Sequence, residues 1–173
     1  MARRLDPSKF YYAEKFKEFA NSLKPTFEST KHEEDRIIIP LFYNDNLVGF
    51  QGRSLGSSKV KYITVMLDDD APKIYGLDTI DKNERVYITE GPFDSTFIRN
   101  ACAMCGADAV LDNWGISNRV WVYDNEPRNR EIVNRISRTI DTGDSVVIWP
   151  SHIEEKDIND MVMNGHDVQK LVE

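Results

Sequence analysis

Cysteine is scarce in this sequence, and long apolar runs are missing from it. Cys102 and Cys105 are the only cysteines among 173 residues, which argues against a disulfide-based scaffold. Their Cys-x-x-Cys spacing has no second ligand pair nearby, so we interpret both as core residues in a reducing, cytoplasmic setting. No run of about twenty apolar residues is present, and the first residues lack the apolar core of a signal peptide, so we expect no membrane association.

Positive charge is also in the minority. The sequence has 22 Lys and Arg residues against 29 Asp and Glu residues, a formal net charge of −7. This balance argues against non-specific binding of nucleic acid, although acids gathered at a metal site would be offset by bound cations. The apolar content of 40% is enough for the core of one compact domain or of two small ones. The histidines show no ligand spacing, and we interpret them as surface or packing residues: His32, His152 and His166.

The first half of the chain predicts one helix followed by an antiparallel sheet. Apolar residues recur at helical spacing over 8–24, and Pro25 ends this pattern. Gly49 and Gly52 indicate a bulge or a close backbone approach within the second of three predicted strands. Turn residues separate these strands, which are Ile37–Tyr43, Leu47–Leu55 and Val60–Leu67.

From Glu84 onward the pattern changes to strands that alternate with helices. Strands are predicted at Val86–Thr89, Ala109–Leu111, Val120–Tyr123 and Ser145–Trp149. Helices are predicted between and after them, at Asp94–Met104, Pro127–Ile140 and Ile158–Met163. Alternation of this kind implies an α/β fold with a mainly parallel sheet flanked by helices. We therefore expect two domains, a small mixed α+β domain at 1–80 and an α/β domain at 81–173.

Acidic residues follow three of these strands. They come in pairs at or shortly after each strand end: Glu90 with Asp94, Asp124 with Glu126, and Asp157 with Asp160. Because the carboxyl ends of parallel strands share one edge of a sheet, we expect these side chains to lie close together. Clustered carboxylates repel one another, so such a cluster favours a bound cation. The alternative is that they are helix caps and surface acids, and Asp157 in particular is placed to cap a helix.

Carboxylates without histidine or cysteine partners suit Mg²⁺, or Mn²⁺, rather than zinc. Mg²⁺ held by few carboxylates is commonly shared with substrate phosphates. Two such ions can hold the attacking and the leaving oxygen of an in-line phosphoryl displacement. Arg53 and Lys61 are then suited to hold a triphosphate or a template backbone, or else they are ordinary solvated strand residues. We interpret the arginines of the predicted helix at 127–140 as solvated surface.

These acidic motifs resemble the topoisomerase–primase (TOPRIM) domain, in which one strand ends in Glu-Gly-x-x-Asp, a second in Asp-x-Asp, and an acidic site follows. The corresponding stretches here are Glu90–Asp94, Asp124–Glu126 and Lys156–Asp160. Upstream, the chain is similar to the N-terminal subdomain of bacterial-type DNA primases, with an apolar strand containing proline, a GFxGR strand, a KY pair and a YGL triplet. The matching residues are Arg36–Phe42, Leu47–Arg53, Lys61–Ile63 and Ile74–Leu77. The resemblance covers residues 35–165 and is nearest to the primases of T-even-type phages.

The resemblance implies template-directed synthesis of short RNA primers from ribonucleoside triphosphates on single-stranded DNA. It gives catalytic roles to Glu90, Asp124 and Glu126, with Glu90 helping to activate the attacking 3′-hydroxyl. It assigns the catalytic Mg²⁺ ions to all six acids, and contacts with nucleotide or template phosphates to Arg53, Lys61 and Lys156. It also implies a replicative helicase and a zinc-binding module as partners outside this chain, and action in the host-cell cytoplasm if a phage encodes the protein.

Two features depart from the family pattern. The Asp-x-Asp motif is Asp-x-Glu here, so Glu126 is one methylene longer and is expected to bind metal from further away or through water. Such primases usually carry an N-terminal zinc-binding module. This chain has only two cysteines, so we expect no zinc in it. We therefore expect a catalytic-core fragment or a short homologue. Two other functions stay open: a TOPRIM nuclease that uses the same acids, and a non-catalytic module that binds single-stranded DNA or a replisome partner.

Overall fold

The fold is given by a computed structural model, which describes residues 7–106 and 114–173. The described residues form two compact units. The first unit comprises residues 7–78 together with 105–106, and the second comprises 79–104 together with 114–173. The predicted strand at Ala109–Leu111 lies outside the described residues. That the chain has two domains divided at residue 80 stays a prediction.

The first unit is built on an antiparallel sheet. Its strands lie in the order β1 (Tyr11–Ala13), β2 (Arg36–Tyr43), β3 (Asn46–Ser54) and β4 (Tyr62–Met66). One helix and a two-residue strand also belong to this unit: α1 (Phe16–Leu23) and β5 (Ile74–Tyr75). The three strands predicted from alternation and turn residues are therefore confirmed, with ends that differ by one or two residues.

The predicted helix over 8–24 is wrong in its first half. A 3₁₀ turn at Pro7–Lys9 and strand β1 come first, and the helix begins only at Phe16. β1 pairs antiparallel with the start of β2, while Tyr11 and Tyr12 remain exposed. The inter-strand hydrogen bonds of β1 therefore stabilise a strand here more than the helical spacing of apolar residues would stabilise a helix, because Tyr12, the first aromatic residue of that spacing, is not buried.

Phe16 lies at the centre of the core of the first unit. Its fully buried ring contacts Phe50 edge-on, with 6.2 Å between the two ring centroids. The guanidinium of Arg36 lies 5.2 Å from the centroid of the Phe16 ring. Arg36 is itself fully buried and donates to the carbonyls of Gly52 and Val60 at 2.8 and 2.9 Å. A Cβ at Gly52 would lie 2.2 Å from the Phe16 ring, which confirms the predicted close approach. The glycine thus lets α1 lie directly against the sheet.

The second unit is a parallel sheet flanked by helices, as the sequence predicts. Its strands lie in the order β7 (Ala101–Met104), β6 (Val86–Thr89), β8 (Arg119–Val122) and β9 (Ser145–Val146). The described helices are α2 (Pro92–Ser95), α3 (Arg130–Asp141), α4 (Ile158–Met163) and α5 (Val168–Val172). Sheet and helices share a core that includes Tyr87, Val122 and Met161. Across both described ranges, none of the helices is long and apolar enough to cross a membrane.

The predicted helix over 94–104 is wrong. Only Pro92–Ser95 is helical, a positive φ of 52° follows at Asn100, and β7 then runs parallel to β6. A short apolar run such as Ala-Cys-Ala-Met has no periodicity that distinguishes a buried strand from a buried helix. Cys102 is fully buried in β7, and this burial raises the pKa of its thiol to about 12. Both cysteines are buried and neither is in a disulfide, which confirms that they are core residues.

Candidate catalytic site

Two acidic residues leave adjacent parallel strands at the same edge of the second sheet. β6 pairs in parallel with β8, and Thr89 lies opposite Val122. Glu90 directly follows the first strand, and Asp124 follows the second after one intervening residue. The strand pairing thus brings the two carboxylates to neighbouring positions.

Asp124 lies half-buried among other carboxylates. The pKa of its carboxyl is raised to about 6, first by burial and then by the negative charges of Glu90, Asp157 and Glu126, while Lys156 acts in the opposite direction. Four of the six predicted acids therefore share one electrostatic environment. Such a group has a negative potential that a bound cation would relieve.

Glu90 is neutralised by an arginine from α3. Arg135 Nη1 donates to Glu90 Oε1, and Arg135 Nη2 donates to Glu131 Oε1 at 2.6 Å. Arg135 is exposed, as the interpretation of these arginines as solvated surface predicts, but it also has a partner among the acids that this interpretation did not include. The spacing of four between Glu131 and Arg135 is visible in the sequence. The contact with Glu90 is not, because that residue lies 45 positions away on a strand end.

Glu126 also has a basic partner. Lys156 Nζ lies 3.3 Å from Glu126 Oε2, and this contact raises the pKa of the Lys156 amine. Lys156 is exposed, so its ammonium remains accessible to a phosphate from solution. The pair also links the second acidic segment of the sequence to the third.

Asp157 caps helix α4. Its carboxylate accepts a hydrogen bond from the backbone N–H of Asp160 at 2.8 Å, so the alternative role as a helix cap is realised. The cap engages one carboxylate oxygen, while the charge of Asp157 still acts on Asp124. Asp160 is exposed, and its own carboxylate accepts a long bond from Asn159 Nδ2 at 3.4 Å. Asp157 therefore lies near Asp124, whereas Asp160 faces solvent.

Asp94 turns back over the glycine that precedes α2. A Cβ at Gly91 would lie 2.7 Å from Asp94 Oδ2, so a side chain at this position would displace the carboxylate. The backbone N–H of Asp94 also donates to Gly91 O at 3.1 Å. The glycine of the Glu-Gly-x-x-Asp motif thus makes room for the aspartate three residues later.

Asn125 has a place in the site that no motif indicates. Its backbone N–H donates to Lys156 O at 2.7 Å, and its Nδ2 donates to Ile153 O and Glu155 O at 2.9 and 3.0 Å. The middle residue of Asp-x-Glu therefore bonds directly to the segment that leads to Asp157. No sequence signal could reveal these bonds, since the motif leaves the middle position unspecified.

The acidic group suits a divalent cation by its chemistry, without forming a complete cage. Within residues 7–106 and 114–173, no three acidic, histidine or cysteine side chains are arranged to hold an ion by themselves. Mg²⁺ commonly uses one or two carboxylates and completes its shell with water and substrate phosphates. Asp124 is half-buried beside like charges, so such an ion would stabilise its ionised form.

A cavity of about 830 Å³ opens beside Asp124 and Glu126. Its walls include apolar side chains of α3 and of the segment after β9, among them Ile132 and Trp149. The indole N–H of Trp149 donates to the carbonyl of Tyr123 at 2.8 Å, which fixes this wall to the end of β8. The cavity has the size of a small-molecule site and is bordered by two of the predicted acids.

Two residues of the first unit are predicted to contact phosphates: Arg53, which lies on β3, and Lys61, which directly precedes β4. Arg53 Nε donates to the hydroxyl of Tyr62 at 3.0 Å, and the guanidinium is 5.7 Å from the centroid of that ring. Lys61 has an exposed side chain, and its carbonyl accepts bonds from Ser54 N at 2.9 Å and from Arg36 Nη1 at 3.3 Å. Arg53 and Lys61 belong to the first unit, whereas the acidic residues belong to the second.

Comparison with known proteins finds a relative among the DNA primases. The chain is 36% identical over 156 residues to the DNA primase of Enterobacteria phage T4, and the match covers 88% of this chain and 45% of that protein. The chain thus spans about half the length of the curated relative that it matches. No family model matches the sequence.

The fold is shared with solved primases. The Aquifex aeolicus primase, solved with its zinc-binding and RNA polymerase domains, matches 94% of this chain and 50% of its own, with a TM-score of 0.63 and 17% identity. A DnaG primase catalytic domain bound to single-stranded DNA matches 77% of this chain and 49% of its own, with a TM-score of 0.55 and 21% identity. By sequence and by fold, the chain is therefore a relative of the T4 DNA primase with the fold of a primase catalytic core.

Proposed function

We propose that this chain is the catalytic core of a DNA primase, which joins ribonucleotides into short RNA primers along single-stranded DNA. The observation that carries this proposal is half-buried Asp124, with the carboxylates of Glu90, Glu126 and Asp157 around it at one sheet edge. We take the second unit to be a TOPRIM domain and the enzyme to be a DNA-directed RNA polymerase of the nucleotidyltransferase type. The relationship to the T4 DNA primase supports this proposal.

The acids divide by position into inner and outer residues. Asp124 and Asp157, with Glu126 directly or through water, are suited to hold Mg²⁺ or Mn²⁺ together with substrate phosphates. When bound, such ions supply charge stabilisation for the attacking and leaving oxygens of phosphoryl transfer. Glu90 is the proposed acceptor of the proton from the attacking 3′-hydroxyl, and Arg135 fixes its orientation. We assign the remaining two acids to the outer part of the site, Asp94 and Asp160.

Three basic residues are proposed to contact nucleotide or template phosphates: Arg53, Lys61 and Lys156. Lys156 is exposed beside Glu126, so a phosphate that approaches the acids meets its ammonium. Arg53 is held by Tyr62, and a guanidinium with a fixed orientation suits bidentate contact with a phosphate. The binding of single-stranded DNA by a primase domain of the same fold supports this assignment.

We also propose partners outside this chain. The Aquifex aeolicus primase contains a zinc-binding domain, and the match covers half of that protein. A zinc-binding module is therefore proposed to act with this chain, which is expected to have weak activity alone. A replicative helicase is proposed as a second partner on the resemblance to bacterial-type DNA primases.

A primer-synthesis assay tests the proposal. It uses the purified chain, single-stranded DNA of mixed sequence, labelled ribonucleoside triphosphates and Mg²⁺ or Mn²⁺. Short RNA products are expected, and Glu90→Gln and Asp124→Asn should each reduce them by about 10²- to 10⁴-fold. Glu84→Gln is the matched control, because it makes the same change at an exposed glutamate of the same unit.

The alternatives give different products. Fragmentation of the DNA without RNA synthesis would assign the acids to a nuclease. DNA binding without either reaction, even after the zinc module and the helicase of a phage relative are added, would indicate a non-catalytic module.

A further inference from the structure

We infer that Asn125 is a positioning residue, which fixes the segment that leads to Asp157 against the strand end that carries Asp124. The inference rests on the proposed function, because it concerns how the proposed metal-binding acids are held. Three hydrogen bonds carry it: Asn125 N to Lys156 O at 2.7 Å, Nδ2 to Ile153 O at 2.9 Å and Nδ2 to Glu155 O at 3.0 Å.

The segment at 153–156 needs such support. It lies between β9 and α4 and has no regular secondary structure, so neither a ladder nor a helix binds its carbonyls. Three of its four carbonyls accept bonds from Asn125 instead. Since Asp157 is the next residue in the chain, a shift of this segment would move that carboxylate away from Asp124.

A second set of bonds holds the same segment from the other side. Glu155 Oε1 accepts from Asn164 Nδ2 at 2.8 Å and contacts His166 Nε2 at 3.1 Å, and both partners follow the end of α4. Asp157 caps the start of the same helix. The segment and α4 therefore form one assembly, and Asn125 joins this assembly to the end of β8.

The Lys156–Glu126 pair also connects the two segments, but it is a weaker constraint. Its ammonium is exposed, and exposed ion pairs contribute little because water and salt screen them. The bonds of Asn125 are made to backbone carbonyls, so they fix the path of the chain and not only the side chains.

The two side-chain bonds require an amide at position 125. Nδ2 has two N–H groups and directs both at carbonyl oxygens, a pattern that a carboxylate of the same shape cannot satisfy. Leucine has a similar branched shape and no donor, so Asn125→Leu removes both bonds while adding no charge. Loss of residues that orient metal ligands typically weakens metal binding about 10- to 100-fold.

Binding of Mn²⁺ to the purified chain, followed by electron paramagnetic resonance, tests the inference. We expect Asn125→Leu and Asn125→Ala to raise the Kd for Mn²⁺ about tenfold. Asn134→Leu is the matched control, because Asn134 is exposed on α3 of the same unit, and its Kd should equal that of the wild type. Melting temperatures establish that folded proteins are compared, and the alanine variant serves if leucine prevents folding.

A double-mutant cycle with Asp157→Asn distinguishes positioning from a general loss of structure. If Asn125 acts through Asp157, then Asp157→Asn should weaken Mn²⁺ binding much less after Asn125→Leu than in the wild type. Equal effects in both backgrounds would overturn the inference, and so would wild-type affinity in a folded Asn125→Ala. Those results leave the proposed function intact, whereas a wild-type protein that binds no Mn²⁺ would overturn both.

Discussion

At the scale of single residues, the candidate site is a group of four carboxylates whose negative charge is only partly neutralised by two basic side chains. Asp124 is influenced by three carboxylates, while Arg135 and Lys156 pair with Glu90 and Glu126. Ionised Asp124 is therefore disfavoured in the metal-free fold, and a divalent cation is the simplest group that would reverse this effect.

Asp124→Asn should stabilise the metal-free protein at neutral pH. The folded-state pKa of about 6 lies above the ordinary value of 3.8, so the ionised side chain weakens the fold above about pH 6 and has no such effect below about pH 4. Allowing for partial exposure, we expect the free energy of unfolding to rise by about 1 kcal/mol at pH 7.

Urea unfolding in EDTA across this pH range measures the effect. The gain should disappear as the pH falls from about 6 to about 4, because the wild-type carboxyl then becomes neutral. Asp141→Asn, an exposed position on α3, is the control. A gain of equal size at every pH would contradict the electrostatic explanation.

Arg135→Gln should strengthen the binding of Mn²⁺. The guanidinium pairs with Glu90, whose charge acts on Asp124, so Arg135 repels a cation held by Asp124 and competes with that cation for the charge of Glu90. Since exposed ion pairs contribute about 0.2–1 kcal/mol, the Kd should fall by up to about fivefold. Arg138→Gln, exposed on the same helix, is the control. A higher Kd for Arg135→Gln would mean that Arg135 supports the metal-bound arrangement of Glu90.

At the scale of secondary-structure elements, local signals decide which elements can be predicted. α4 occupies the predicted residues Ile158–Met163, because Asp157 caps its start and Gly165, with φ of 90°, follows its end. Strand β7 has no comparable local signal. Its apolar residues suit a helix or a buried strand equally, and the pairing with β6 decides between them.

The contact between α1 and β3 predicts different outcomes for two glycine substitutions. A Cβ at Gly52 would lie 2.2 Å from Phe16 Cε2, so Gly52→Ala forces a buried ring or the strand to move. Overpacking of this kind costs about 1–3 kcal/mol. Gly56→Ala should change stability by less than about 0.5 kcal/mol, because nothing lies within 4 Å of the added Cβ. Chemical denaturation of both variants measures the difference, and equal stabilities would be inconsistent with the described contact.

At the scale of the whole molecule, the net charge says little about the proposed partner. The total is −7, yet exposed Lys61 in the first unit and exposed Lys156 in the second present positive groups to solvent. Acids gathered at the candidate site add to the negative total without excluding a polyanion, because cations bound there would offset them. Template binding through basic side chains is expected to weaken as salt is added, since counterions are released on binding.

The sequence by itself determined the order of the acids along the chain and the elements that carry them. Strand β6 ends at Thr89 as predicted, because alternation, burial and turn residues are local properties that a short stretch of sequence contains. The resemblance to primases likewise depends on motifs whose spacing is visible along the chain.

Only the tertiary structure decided which partner each acid has. Arg135 contacts Glu90 across 45 positions, and Asn125 bonds to a carbonyl 28 positions away. Such contacts depend on how crossovers return strands and helices to one sheet edge, and no local pattern contains that information. Asp157 shows both contributions, because its role as a cap follows from its neighbours in the sequence, while its effect on Asp124 follows from the fold.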